Sequence, residues 1–203
     1  RGAQVLYVED LLAEIFENKQ VKKNFIHDML KQCKIDNPEL HQIIFDNLND
    51  RTPEELVEAA IGGLQKKEIE VSDREYSLTD YIEAQYPLYI NPLPNLYFMR
   101  DPAAVMGNGI SINSMYTDAR RREPMLIKYI YDNHPLFNKD ESPLWYDHTI
   151  PHSLEGGDML VLSKEVVAIG CSERTSAQGI EMLARNLFSG MKELKEVVVV
   201  RIP

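Results

Sequence analysis

Two acidic residues in this chain are each followed, nineteen positions later, by an arginine. Asp101 precedes Arg120 and Glu155 precedes Arg174, so the second pair repeats the first at an offset of fifty-four residues. In both copies a short hairpin pattern separates acid from arginine, and an amphipathic helix pattern follows the arginine. The sequence therefore predicts two like modules that present two carboxylates and two guanidinium groups at equivalent positions. Such a set suits a small substrate that carries both a cation and an anion.

Turn residues and hydrophobic periodicity define the order of elements in each module. Gly107-Asn108-Gly109 predicts a tight hairpin turn, because glycine and asparagine tolerate positive φ angles. A helix follows each arginine, and a strand follows each helix, so each module has the order ββαβ. The predicted strands are 103–106, 110–115 and 143–146 in the first module, and 158–162, 166–171 and 196–202 in the second.

The start of the chain predicts one more strand. Val5–Val8 is apolar and β-branched, and in the ββαβ scheme it would close an earlier module. Repeated modules bury their apolar faces only against neighbouring modules. We therefore expect this chain to be an internal fragment with unpaired strand edges, and such edges favour self-association into a homo-oligomer.

Residues 9–86 have a different pattern, with apolar residues at helical spacing and no chemically suggestive motif. Asn37-Pro38 and Thr52-Pro53 are typical helix starts, because the polar side chain caps the first turn and proline fits the first helical position. We predict an α/β chain in three parts. These are an end strand over 1–8, an inserted subdomain of four or five helices over 9–86, and two modules over 87–203, divided at about 95–150 and 151–203.

Charge and cysteine content narrow the class of partner. The net charge of -10 argues against a nucleic acid partner, because a phosphate backbone requires a basic face. No apolar run approaches the roughly 20 residues of a membrane span, so we expect no membrane partner. Two cysteines do not make a disulfide framework, which is typical of a reducing compartment. We expect a cytoplasmic protein.

The acids and arginines of the two modules have a functional and a structural interpretation. A carboxylate pairs with a guanidinium through two parallel charge-assisted hydrogen bonds, and an arginine can clamp a substrate carboxylate in the same way. Alternatively, Asp101 caps a turn and Glu155 is an ordinary loop residue. Gly156-Gly157 favours the functional interpretation, because paired glycines let backbone approach a ligand closely. Both arginines precede a helix, where the helix dipole disfavours a cation, and their occurrence there in both modules favours the functional interpretation.

Other reactive side chains do not form a recognisable site. A metal site could be suggested by His148, His152, Glu155 and Asp158, but Pro151 and the glycine pair forbid the regular helix on which such ligands usually lie. Cys171 has no histidine close to it in sequence, so packing is the favoured role for this residue. Cys33 completes a helical apolar stripe. The residues alone thus predict a binding site with no nucleophile, no metal and no cofactor.

Four ordered motifs resemble arginine deiminase, and the match extends from Val5 to Pro203. They are Pro94-Asn-Leu-Tyr-Phe-Met-Arg-Asp-Pro102, Thr117-Asp-Ala-Arg-Arg-Arg-Glu123, Leu154-Glu-Gly-Gly-Asp158 and Gly170-Cys-Ser-Glu-Arg-Thr175. The helices over 9–86 stand where this family carries an inserted helical domain. The resemblance implies a five-bladed α/β propeller of ββαβ modules, of which this chain would form part.

The resemblance also implies an activity, namely hydrolysis of L-arginine to L-citrulline and ammonia through a covalent cysteine intermediate and without a metal. Asp101 and Glu155 would bind the guanidinium group of L-arginine. Arg120 and Arg174 would bind the α-carboxylate, and Asn95 and Phe98 would line the pocket. In this family the nucleophilic cysteine and the histidine motif follow the segment that corresponds to Pro203. We therefore expect the chain as given to be inactive alone.

Two other functions remain open at this point. The acid–arginine pairs would also suffice for a non-catalytic module that binds arginine. Amidinotransferases share the propeller architecture, although the inserted helices and the acidic motifs favour the deiminase.

Overall fold

The protein is described by a computed structural model that covers residues 2–69, 78, 82, 85–137 and 141–203. The chain divides into two compact units, Arg1–Pro94 and Asn95–Pro203. Among the described residues no helix has the length and apolar character that crossing a membrane requires.

The first unit is mainly helical. Its helices are α1 Val8–Phe16, α2 Lys19–Gln32, α3 Pro38–Asp50 and α4 Pro53–Gly62, and a short antiparallel pair joins β1 Leu64–Gln65 to β2 Leu88–Ile90. The predicted caps are confirmed: Asn37 accepts from Leu40 N, and Thr52 forms a reciprocal capping box with Glu55. The core of this unit consists of buried side chains from all four helices, such as Leu12, Phe16, Phe25, Ile26, Leu30, Ile44, Leu48 and Leu56.

The strand predicted at Val5–Val8 is wrong. Residues 2–7 have no regular secondary structure, and Val8 is the first residue of α1. A strand requires a hydrogen-bonded partner, and no described strand pairs with this segment. The negative charges of Glu9 and Asp10 instead favour a helix start here. The fifth helix of the predicted subdomain would fall over 78–86, a range that lies mostly outside the described residues.

The second unit contains the two predicted modules, and the order ββαβ is confirmed in both. The first consists of β3 Ala103–Met106, β4 Gly109–Ile112, α5 Arg122–Asn133 and β5 Leu144–Tyr146. The second consists of β6 Met159–Val161, β7 Val166–Cys171, α6 Ala177–Gly190 and β8 Glu196–Arg201. In each three-stranded sheet the hairpin is antiparallel and the strand after the helix joins it in parallel. The fold is therefore mixed α/β.

Register and turn geometry match the sequence pattern in the first module. Met106 pairs with Gly109, so the hairpin closes through Gly107 and Asn108, and Gly107 adopts a φ of 60°. In the second module β7 and β8 pair without interruption from Val166↔Glu196 to Cys171↔Arg201. In both modules the hairpin follows the acidic motif directly, with β3 beginning at Ala103 and β6 at Met159.

The core of the second unit anchors the segment that leads to Glu155. Trp145 is buried and donates from Nε1 to the Met106 carbonyl over 2.8 Å. Its neighbour Tyr146 is 1 % exposed and donates its hydroxyl to the His152 carbonyl over 2.6 Å. This hydrogen bond ties β5 to the loop that precedes the second acidic motif.

Tyr146 provides a test of this anchor through pH. Burial raises the pKa of Tyr146 to about 12, whereas an unfolded tyrosine titrates near 10. The stability that depends on the neutral phenol is therefore complete below pH 10 and is lost as pH rises toward 12. We expect Tyr146→Phe to lose about 1 kcal/mol of unfolding free energy at pH 8, because the His152 carbonyl loses its donor. At pH 11 the difference in unfolding free energy between the variant and the wild type should be smaller by about 1 kcal/mol.

Urea unfolding followed by the fluorescence of Trp145, the single tryptophan, measures both values. The comparison with wild type at each pH cancels the titration of the other tyrosines. A gap of the same size at pH 8 and pH 11 would contradict the assignment.

Candidate functional site

The two acidic motifs meet through the backbone. Asp101 lies in the turn before β3, and Glu155 lies just before the short 3-10 helix Gly156–Asp158 that leads into β6. Gly156 N donates to the Asp101 carbonyl over 3.0 Å, and Asn113 Nδ2 donates to the same carbonyl over 2.7 Å. The structure thus brings the two predicted carboxylate residues to one place, within one unit of the chain.

The glycine pair makes this approach sterically feasible. A Cβ atom on Gly156 would lie 1.9 Å from the Arg100 carbonyl oxygen, which is far inside van der Waals contact. A Cβ atom on Gly157 would lie 2.9 Å from Asp101 Oδ1. Arg100 strengthens the junction, because its Nε donates to the Gly156 carbonyl over 3.1 Å. The absence of side chains at Gly156 and Gly157 therefore lets the segment of Arg100 and Asp101 pack against them.

Arg120 forms a buried ion-pair cluster with two carboxylates. Its Nη1 donates to Asp101 Oδ2 over 2.8 Å. Its Nε and Nη2 donate to the carboxylate of Glu123 over 2.7 to 3.1 Å. Burial by itself would lower the pKa of the Arg120 guanidinium, but the hydrogen bonds to Glu123 and Asp101 outweigh it and raise this pKa above its ordinary value. Arg120 is therefore charged and held on two sides.

Arg174 has a different environment. Its Nη1 lies 3.3 Å from Glu155 Oε2, and its side chain is 54 % exposed while that of Glu155 is 4 % exposed. Glu155 is fixed independently of this contact: its Oε1 accepts from Tyr116 N over 3.2 Å, and its own N donates to Thr175 Oγ1 over 3.1 Å. The second module thus presents a fixed buried carboxylate beside an accessible guanidinium.

Ser172 supports the loop that carries Arg174. Its Oγ donates to Asp158 Oδ2 over 2.7 Å and accepts from Arg174 N and Thr175 N. The last residue of the acidic motif, Asp158, is therefore a structural contact of the Arg174 loop.

The two predicted pocket residues precede Asp101 in a compact turn. Phe98 N donates to the Asn95 carbonyl over 2.9 Å, and Asp101 N donates to the Phe98 carbonyl over 3.2 Å. Asn95 is half-buried, whereas Phe98 is exposed and has its ring against that of Tyr97. The turn links both residues to Asp101 through the main chain.

Three residues at the site were not identified from the sequence: Glu123, Asn113 and Thr175. The spacing of Arg120 and Glu123, three residues apart at a helix start, was a usable signal for their pairing. Asn113 and Thr175 act by hydrogen-bonding to backbone from the neighbouring segment, and no local pattern indicates such contacts.

The two cysteines belong to different units of the chain. Cys33 belongs to the first unit, and Cys171 ends β7, where it packs against the core of the second unit. Within the described ranges, no group of three or more histidine, cysteine or acidic residues could hold a metal ion.

The family model and the curated relatives that this chain matches carry the same family name. A family model described as arginine deiminase matches residues 1–203. A curated arginine deiminase of Bacillus cereus is 44% identical over 203 residues, and the match covers 100% of this chain and 49% of the relative. One from Staphylococcus aureus is 46% identical over 206 residues with the same coverage. The chain thus spans about half the length of the curated relatives it matches.

Solved structures show a weaker similarity. A dimethylarginine dimethylaminohydrolase adduct with S-methyl-L-thiocitrulline is 22% identical with a TM-score of 0.44, covering 54% of this chain and 39% of that one. The Pseudomonas aeruginosa protein of this kind, complexed with citrulline, is 20% identical with a TM-score of 0.42, covering 70% of this chain and 56% of that one.

The close approach at Gly156 leads to a stability prediction. We expect Gly156→Ala to lower the unfolding free energy by about 3 kcal/mol, because the added methyl group must push away the Arg100 carbonyl and break the hydrogen bond to Asp101. Urea unfolding followed by circular dichroism measures the loss.

Gly62→Ala is the matched control. Gly62 ends α4, and a Cβ there would meet no heavy atom within 4 Å. Alanine favours a helix, so this variant should be unchanged or more stable by up to about 1 kcal/mol. If Gly156→Ala has the same unfolding free energy as Gly62→Ala, the contact at Gly156 relaxes without a cost in stability, and the prediction is wrong.

Proposed function

The chain belongs to the arginine deiminase family, and we propose that it carries the substrate-binding groups of an arginine deiminase. In this proposal the complete gene product hydrolyses L-arginine to L-citrulline and ammonia. The observation that carries the proposal is the junction of the two acidic motifs, where Gly156 N donates to the Asp101 carbonyl. It supports a single site with two carboxylates, which is what recognition of one guanidinium group requires.

Asp101 and Glu155 bind the guanidinium group of the substrate. Each already accepts a guanidinium hydrogen from an arginine of its own module, so each side chain is placed to accept from a guanidinium. Asp101 uses Oδ2 for Arg120, and its side chain is 23 % exposed, so a further donor can reach this carboxylate. Two carboxylates that neutralise one guanidinium favour a cationic substrate over its neutral product.

The α-carboxylate of the substrate is bound by Arg174 and Arg120. Arg174 is the more accessible of the two, with 54 % of its side chain exposed. Arg120 has one hydrogen left on each of Nη1 and Nη2 after its contacts with Asp101 and Glu123. Asn95 and Phe98 line the pocket from the turn that leads to Asp101.

Neither thiol of the chain acts as the nucleophile in this proposal. Cys33 lies in the other unit, and Cys171 packs against the core at the end of β7. In the family reaction a thiolate attacks the guanidinium carbon, and one nitrogen takes up a proton and leaves as ammonia when its bond to that carbon breaks. Water then displaces the sulfur to give citrulline, while a histidine transfers the protons. We expect the purified 203 residues alone to release no citrulline.

For the fold, we propose that the two ββαβ modules belong to a five-bladed α/β propeller and that the helices over 9–86 are an insertion after a first module. The exposed valines of β8, Val198 to Val200, support this arrangement, because a neighbouring module would cover them. Two free cysteines fit a cytoplasmic location.

Kinetics of the complete gene product test the proposed function. We expect citrulline release from L-arginine, and a fall in kcat/KM of about 100-fold or more in both Asp101→Asn and Glu155→Gln, because each change removes a charged acceptor from the guanidinium. Arg174→Gln should raise KM by about 10-fold with a smaller change in kcat.

Arg185→Gln is the control for the loss of a surface arginine, since Arg185 is exposed and lies 4.0 Å from an exposed Glu181. It should leave the kinetics unchanged. The proposal is wrong if the complete product releases no citrulline, and transfer of the amidine group to glycine would identify an amidinotransferase instead.

A further inference from the structure

Glu123 is an acidic side chain with no access to solvent. Its exposed fraction is 0 %, although it is the second residue of α5, a position where acidic side chains are usually solvated. Placing a carboxylate in such surroundings costs free energy unless a cation compensates it fully. Arg120 provides this compensation through its Nε–Nη2 edge.

Glu123, Arg120 and Asp101 form a chain of contacts. Glu123 holds one edge of the guanidinium with three hydrogen bonds, and the opposite nitrogen, Nη1, points to Asp101 Oδ2. Because a guanidinium is planar, fixing one edge also fixes the direction in which Nη1 donates. The orientation of the Asp101 carboxylate therefore depends on a residue that does not contact it.

The cluster of Glu123, Arg120 and Asp101 has a net negative formal charge. Two carboxylates share one guanidinium, so the cluster of three side chains carries a formal charge of about -1. A buried ion pair is rarely the most stabilising way to fill a core. A net negative, rigid cluster is, however, suited to attract and align a further guanidinium.

The second module lacks the equivalent of Glu123. The repeat offset of fifty-four residues places Ala177 at the corresponding position, three residues after Arg174. Arg174 accordingly lies 3.3 Å from Glu155 and has a side chain that is 54 % exposed, whereas the Arg120 side chain is 7 % exposed. The two arginines of the repeat are thus held differently, and Glu123 is the difference.

We infer that Glu123 is a positioning residue for guanidinium recognition, which acts by locking Arg120 so that Arg120 orients Asp101 toward the substrate. This inference rests on the proposed function. In this arrangement the locked Arg120 organises the guanidinium subsite and meets the substrate carboxylate from a fixed position, whereas the unlocked Arg174 remains free to move onto that carboxylate.

A double-mutant cycle in the complete gene product tests the inference. Glu123→Gln should lower kcat/KM for L-arginine by about 10-fold or more in the wild-type background. In the Asp101→Asn background the same change should lower it by less than about twofold, because the carboxylate to be oriented is already absent. An equal factor in both backgrounds, or no effect in the wild-type background, overturns the positioning role, since loss of stability alone acts equally in both.

A second measurement does not depend on turnover. Hydrogen exchange of the Arg120 Nε–H, followed by NMR in the 203-residue chain, should be slow in the wild type and in Asp101→Asn. It should be faster by about 10-fold or more in Glu123→Gln, where the bidentate contact is broken. If Glu123→Gln does not fold, Glu123→Asp keeps the charge, shortens the reach and should accelerate exchange in the same direction.

These readouts separate the two proposals. Unchanged exchange in the Glu123 variants overturns the locking of Arg120 even if the wild-type gene product converts L-arginine. Failure of the wild-type product to release citrulline overturns the proposed function, and with it the role of Glu123 in recognition, even if exchange responds as expected.

Discussion

One backbone hydrogen bond, from Gly156 N to the Asp101 carbonyl, joins the two acidic motifs, and the candidate site depends on it. It forms because residue 156 has no Cβ, which would otherwise overlap the Arg100 carbonyl. Asn113 donates to the same carbonyl and so fixes the junction from the β4 side. The charged side chains are arranged around a contact that is itself neutral and made by the main chain.

The two modules that meet at this junction differ in the burial and pairing of their charged side chains. In the first, Arg120 is buried between Asp101 and Glu123, so the cluster is rigid and has an excess negative charge. In the second, Glu155 is buried and fixed by backbone contacts, while Arg174 extends into solvent. In the proposed function this difference lets the repeat bind the two ends of a zwitterionic substrate, because its equivalent positions no longer have the same charge or exposure.

Local signals in the sequence were sufficient for much of this fold. The Gly107-Asn108 turn, the caps at Asn37 and Thr52 and the order ββαβ all follow from short-range rules and are confirmed. The strand predicted at Val5–Val8 failed because apolar, β-branched composition does not supply a pairing partner. The acids and arginines of the candidate site were predicted from spacing and resemblance. Glu123 was missed although its spacing from Arg120 indicates a pair, because the sequence does not reveal its complete burial. Thr175 was missed because its contact with Glu155 N joins residues twenty positions apart.

The two-carboxylate site is tested most directly by a crystal structure of the complete gene product with an L-arginine analogue whose guanidinium resists hydrolysis. We expect guanidinium nitrogens within about 3 Å of carboxylate oxygens of both Asp101 and Glu155. We also expect Arg174 to move from Glu155 onto the carboxylate of the ligand while Arg120 stays on Glu123. A guanidinium bound away from the two acids, or an Arg174 that remains on Glu155 beside the bound ligand, would contradict the proposed roles of these residues.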